Sequence, residues 1–196
     1  MKRFISFLLM LVICNHCQSQ LVKLDDFNQQ RVNVTKQSMA VLGSWAAANI
    51  IYSGIAVGSA KGSDKYFHQM NLIWGGINFT LAALGNFGTK YNDGMSYVQT
   101  LKKQIGVEKT FLLNVGLDVA YIAGGFYLKE RSSNSIDNQD RNKGFGKSII
   151  LQGSALLLFD GIMYFIHQKH GQQLYQLADK VEIGMTVNGL GCVVKL

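Results

Sequence analysis

Two stretches without a single Asp, Glu, Lys or Arg, Met39–Ala60 and Tyr66–Thr89, constrain this chain more than any other feature. They read MAVLGSWAAANIIYSGIAVGSA and YFHQMNLIWGGINFTLAALGNFGT, and the link between them, KGSDK, is dense in charge. A helix needs about 20 predominantly apolar residues to cross a hydrocarbon layer roughly 30 Å thick. In lipid, only a helix or a closed barrel satisfies every backbone N–H and C=O. The pair therefore reads as a membrane helical hairpin with Gly62 and Ser63 in its turn.

The later chain has the same form. Thr110–Leu128 and Ser148–Gln168 are again long and apolar, each with one aspartate inside. Overall composition does not announce this: 48% of residues are hydrophobic and the mean hydropathy is +0.11. The information lies in how charge is crowded into short segments. Proline is absent, so no helix is broken by a ring lacking an N–H, and the 21 glycines suit close helix approach in lipid. The expected fold class is an all-α membrane protein, a four-transmembrane-helix bundle with spans at about 39–60, 66–89, 110–128 and 148–168, closed by a short C-terminal β-hairpin. The hairpin follows from the alternation of Val181, Ile183, Met185 and Val187 before the turn pair Asn188-Gly189. Aligning Asn49 with Asp118 and Asn78 with Asp160 suggests a two-plus-two helix repeat.

Residues 1–19 read as a cleaved signal peptide, with Lys2 and Arg3, the core FISFLLMLVIC and a polar end. The transmembrane domain is then 20–168, and 169–196 forms a periplasmic tail. A cleaved leader places both mature termini in the periplasm of a bacterial inner membrane, with KGSDK and Lys129–Lys147 on the cytoplasmic side, where basic density is higher. Within Lys90–Lys109, Met95, Val98, Leu101 and Ile105 recur at helical spacing. They suggest either a short amphipathic helix on the bilayer or an ordinary helical connector. Cys14 and Cys17 lie in the leader, so a mature chain keeps only Cys192 and builds no internal disulfide.

The net charge of +7 does not point to nucleic acid, because Lys and Arg flank apolar spans instead of forming one stripe. The bilayer is the expected partner, together with a second copy or another membrane protein. Four polar residues fall mid-span: Asn49, Asn78, Asp118 and Asp160. An ionised carboxylate at that depth costs about 2.5–3.5 kcal/mol even on a lenient scale. Such groups line a polar pocket or act as hydrogen-bonding glue between helices, with Tyr52 and Tyr121 as available partners. Gly54 and Gly58 form a GxxxG pair suited to helix packing. His68 and His167 sit at opposite ends of their spans, which disfavours a shared haem. There is no G-x-S-x-G, phosphate loop or di-iron Glu-x-x-His pair. No catalytic residue, metal site or cofactor is expected, and the chain reads as no enzyme.

The segment WAAANIIYSGIAVG…FHQMNLIWGGINFTLAALG, the signal peptide, the four spans and the terminal NGLG together resemble small membrane proteins of Bacteroidetes-type bacteria, a family of unknown function. The resemblance implies the four-span layout and a bacterial source, and brings no activity. The function expected is a non-enzymatic bundle that binds a partner or a small apolar ligand. The alternative is a small proton-linked transporter or channel using Asp118 and Asp160.

Overall fold

A computed structural model describes residues 23–134 and 136–176 in side-chain detail. The chain forms four helices: α1 (Lys2–Ala56), α2 (Gly62–Gly88), α3 (Tyr97–Ser132) and α4 (Gln139–Ala178). Helices α1 and α2 form one antiparallel hairpin and α3 and α4 another. The two hairpins join mainly through α2 and α4, which run parallel to each other. Gly62, at φ +56°, opens α2, a backbone conformation that glycine adopts without strain. Ser96 caps α3: its hydroxyl accepts from Gln99 N, and the Gln99 side chain accepts from Ser96 N.

Two expectations are corrected here. Among the described residues three helices, not four, are long and apolar enough to cross a membrane: Lys23–Ala56, Tyr97–Ser132 and Gln139–Gln176. Helix α2 carries no charge beyond its first turn, but an uncharged segment is not necessarily an apolar one. Its buried stripe is His68, Asn71, Gly75, Asn78 and Ala82, spaced three and four residues apart, and these polar groups lower its apolarity. The expected β-hairpin at the C-terminus is not supported: it lies outside the residues described in side-chain detail, among which there is no strand. The signal-peptide reading of residues 1–19 also falls outside them. The segment Lys90–Lys109 does not form a separate surface helix. From Tyr97 onward it is the start of α3 itself. Asp25 of α1 accepts from Gly94 N at 3.0 Å and fastens the α2–α3 loop to α1.

The bundle is built inside-out relative to a water-soluble one. Its buried side chains are more often polar than hydrophobic, while Ile51, Ile55, Leu84, Phe87, Leu113, Phe126, Leu158 and Phe165 are exposed. Scattered apolar exposure is ordinary, but continuous apolar faces on several helices are not. Exposed lysines bracket these faces. Along α3, Lys109 and Lys129 are 20 residues apart, about 30 Å at 1.5 Å per residue, which matches a hydrocarbon layer.

Each hairpin closes on the same device. A Cβ on Gly75 of α2 would meet Ala46 O at 3.3 Å and Ile50 Cγ1 at 2.7 Å. A Cβ on Gly153 of α4 would meet Asp118 O at 3.2 Å and Ile122 Cγ1 at 3.0 Å. In both cases a glycine lies on a carbonyl and on the isoleucine four residues further along. This equivalence pairs Ala46 with Asp118, a register three residues away from the one read in the sequence.

The ends of the bundle hold differently. At the end carrying the α1–α2 and α3–α4 turns, Gly144 lies against Ser63 O and Phe67 N, and Gly146 against Gly125. The Lys147–Asp64 pair there, at 3.7 Å, is solvent-exposed and contributes little. At the other end Leu24, Phe27 and Leu174 form a small core with Tyr97 and Leu101, His170 stacks on Phe27 at 3.9 Å, and Tyr97 OH donates to Leu174 O.

Candidate functional site

Between these closed ends the helices part around a cleft of about 870 Å³. All four helices line it. Its walls are apolar: Met39 and Leu42 from α1, Ile77 and Leu81 from α2, Phe111 and Leu117 from α3, Leu156 and Phe159 from α4. This volume lies within the range of small-molecule sites, roughly 300–1,000 Å³.

The inner end of the cleft is polar. Asn78, Asn114, Asp118, Asp160 and Tyr121 converge there. Asn114 Nδ2 donates to Asp160 Oδ1 at 3.3 Å, and the Asp118 and Asp160 carboxyls are close neighbours at this end of the cleft. Two facing carboxylates repel in a low-dielectric interior, and one proton held between them replaces repulsion with a hydrogen bond. Asn78 Nδ2 and Asp118 Oδ2 have no hydrogen-bond partner, although both side chains are almost fully buried. A stranded buried polar atom costs about 1–3 kcal/mol. Both residues line the cleft, so a ligand there can relieve these atoms once the side chains turn toward it.

Asn49 and Tyr52 are not part of this site. Asn49 belongs to a separate amide network one to two turns further along the bundle. Gln152 is its hub: Nε2 donates to Asn49 Oδ1 at 2.8 Å and to Asn71 Oδ1 at 3.0 Å, and Oε1 accepts from Trp45 Nε1 at 3.1 Å. Ser148 Oγ also donates to Asn71 Oδ1, at 2.6 Å. Tyr52 is 64% exposed, its ring set edge to face with His68. Of the six polar residues singled out in the sequence, the structure brings Asn78, Asp118, Asp160 and Tyr121 to one site. Gly54 and Gly58 make no close helix contact: a Cβ at Gly54 would reach only Leu72, at 3.9 Å, and Gly58 lies past the end of α1. The close approaches to another helix's backbone fall on Gly75, Gly125, Gly144, Gly146 and Gly153, while Gly85 and Gly171 lie against the side chains of Met39 and Glu108.

The cleft's outer end is basic. Arg31, Lys90 and Lys103 line it with Thr89 and Asn92. Arg31 is 5% exposed, and its Nη1 donates to Thr100 O at 3.4 Å, a long bond. No carboxylate pairs with Arg31, Lys90 or Lys103 among the described residues. Beside Arg31 lie further unsatisfied buried atoms: Asn28 Oδ1, Gln104 Oε1 and both ring nitrogens of His167, whose ring stacks on Phe111. Sequence reasoning missed both Arg31 and Gln152. Arg31 precedes the first uncharged stretch, and Gln152 is a neutral residue inside the fourth apolar one, so neither breaks the charge pattern.

Residues 41–161 match a family described as a family of unknown function, DUF6992. The matched segment contains the inner end of the cleft and the whole amide network. Neither the curated proteins nor the solved structures yield a match.

Proposed function

The chain belongs to the DUF6992 family, whose function is not known, and we propose that it is a non-enzymatic membrane bundle that binds a small, largely apolar molecule in the cleft between its hairpins. The observation that carries this reading is the pairing of an apolar bore with buried, unpartnered polar atoms at its inner end, Asn78 Nδ2 and Asp118 Oδ2. Apolar walls give affinity, and a few convergent polar groups fix orientation. The ligand then carries a hydroxyl or carbonyl that accepts from Asn78 and meets the acid pair. Three helices apolar enough to span support a bilayer setting. The basic leader and the loop charges support the inner membrane of a bacterium with periplasmic termini, and a second copy or another membrane protein remains a natural partner for the exposed apolar faces.

The facing acids Asp118 and Asp160 favour a second reading, proton-linked transport. Against it, the cleft lining stops at Trp74, Tyr121 and Leu156. Beyond it, the Gln152 network and the Gly125–Gly146 contact fill the interior. A dead-ended cleft is the form of a binding site.

Gly106 offers a clean test. It lines the cleft, and a Cβ there would meet nothing within 4 Å, which leaves room for a larger side chain to extend across the opening. Gly106→Phe is expected to plug the cleft while leaving the fold intact, since replacing an interior helical glycine does not weaken the helix. Native mass spectrometry from mild detergent should find a small molecule on the parent protein and none on the variant. An empty parent, or an equally loaded variant, would count against the reading.

A further inference from the structure

We infer that the molecule bound in this cleft is an anionic single-chain amphiphile, with its charged group against Arg31 at the outer end, its chain running inward along the apolar walls, and the hydroxyl or carbonyl that meets Asn78 carried toward the inner end of that chain. This rests on the reading that the cleft is a binding site and adds the chemistry of what it takes. A guanidinium with only 5% of its residue surface exposed, and without a carboxylate, is an unbalanced charge. Buried charges are normally paired. Lys90 and Lys103 line the same end of the cleft, neither in an ion pair among the described residues, and the acids nearby, Asp25, Asp26 and Asp93 around Tyr91, are not part of the lining, so the charges that line the outer end are of one sign. The inner end, in contrast, has no cation in its lining. The cleft therefore discriminates between the two ends of a ligand.

The position along the bundle fits an amphiphile. Exposed Lys36, Lys109 and Lys169 mark the level where the uncharged stretches begin, and Arg31 and Lys103 lie on the polar side of that level. The inner end lies well inside the uncharged region. A molecule seated this way keeps its charge at headgroup depth and its chain at hydrocarbon depth, the same partition it has in a bilayer leaflet. From Lys103 to Asp118 the lining covers 15 residues of α3, about 22 Å at 1.5 Å per residue, the reach of a long acyl chain. One cleft of about 870 Å³ suits one chain better than the two chains of a bilayer phospholipid.

The two tryptophans make the test direct. Trp74 lines the cleft, whereas Trp45 is bonded to Gln152 outside its lining, so a Trp45→Phe background reports on Trp74 alone. The probes are hexadecanoate brominated next to the carboxylate, hexadecanoate brominated at the chain terminus, and the matching terminally brominated alcohol, all in neutral detergent. The terminal bromine should quench Trp74 more strongly than the one beside the carboxylate. The acid should bind about tenfold or more tightly than the alcohol, Arg31→Gln should remove that preference, and Arg31→Lys should restore most of it. Should Arg31→Gln fail to assemble, the acid-to-alcohol comparison on the parent decides. Acid and alcohol quenching equally, both blocked by Gly106→Phe, would overturn the inference and leave the binding site standing. Quenching indifferent to Gly106→Phe would overturn both. Stronger quenching by the bromine beside the carboxylate, or displacement of the acid by an equimolar two-chain anionic phospholipid, would overturn the orientation or the single-chain assignment and with it the inference.

Discussion

Gly146→Val is expected to prevent the two helices of the second hairpin from packing, at a cost above about 3 kcal/mol. A Cβ at Gly146 would lie 2.7 Å from Gly125 O and 2.8 Å from Lys129 N. Both are backbone atoms, so no rotamer change relieves the clash and the helices must separate. The contact is reciprocal, since a Cβ at Gly125 would lie 2.9 Å from Gly146 O and 2.7 Å from Ile150 Cγ1. Separating α3 from α4 here also disturbs the α4 face that meets α2 through Gly144. The matched control is Gly116→Ala on α3, where an added Cβ meets nothing within 4 Å. That change should be neutral or stabilise by up to about 1 kcal/mol, because glycine weakens a helix interior. Midpoints of unfolding in mixed detergent, followed by circular dichroism, measure both. Similar midpoints for Gly146→Val and Gly116→Ala would refute the close-packing account.

The same glycines show where the sequence was legible. Charge distribution reveals long helices and their approximate limits, because a charge in hydrocarbon is costly whatever the fold. It does not reveal which glycines touch. Gly54 and Gly58 have the textual pattern of a packing motif, yet their helix face meets no backbone, while Gly125 and Gly146 carry the contact without any such pattern. Helix contact depends on which face turns inward, and the spacing of two small residues on one helix does not encode that.

The polar residues divide in a similar way. Asp118 and Asp160 stood out because a carboxylate inside an apolar window has few physical explanations. Asn78 and Tyr121 join them. Asn49 does not, because seven residues along α2 separate Asn71, its neighbour in the network, from Asn78. That is two helical turns, about 10 Å. A periodicity argument could have found more. The buried positions Gln104, Phe111, Asp118, Gly125 and Ser132 of α3 follow a seven-residue rhythm, with Thr100 one turn before the first, and the polar stripe of α2 repeats likewise. Searching the uncharged windows for a polar stripe, not for isolated charges, would have marked Asn71 and explained why α2 is too polar to count as a span. Arg31 had no such signal: its burial arises from the junction of α1 with α3, a long-range contact.

Gln152→Leu is expected to destabilise the bundle by about 2–3 kcal/mol, whereas Asp118→Asn should change stability little. Gln152 is fully buried and joins three partners on α1 and α2. Leucine is close to it in size, so the change removes polarity without opening a large cavity. Its loss strands Asn49 Oδ1 and Trp45 Nε1, while Asn71 Oδ1 keeps Ser148 as a donor. In a water-soluble core each stranded group would cost about 1–3 kcal/mol. Within a bilayer the unfolded reference also finds partners, and single hydrogen bonds average about 0.6 kcal/mol. Three bonds lost at one hub place the expected effect between these limits. Asp118→Asn, by contrast, keeps a hydrogen-bonding group opposite Asp160 and removes only the capacity to hold a shared proton or to present an acid to the cleft. The two variants therefore separate structural from functional polarity. A double-mutant cycle between Gln152→Leu and Asn49→Leu should give a coupling of about 0.6 kcal/mol or more. Asp118→Asn should show its effect in ligand retention by native mass spectrometry instead. If Asp118→Asn lowers the unfolding midpoint as far as Gln152→Leu and leaves retention unchanged, the acids are glue, and the inner end of the cleft loses its assigned role.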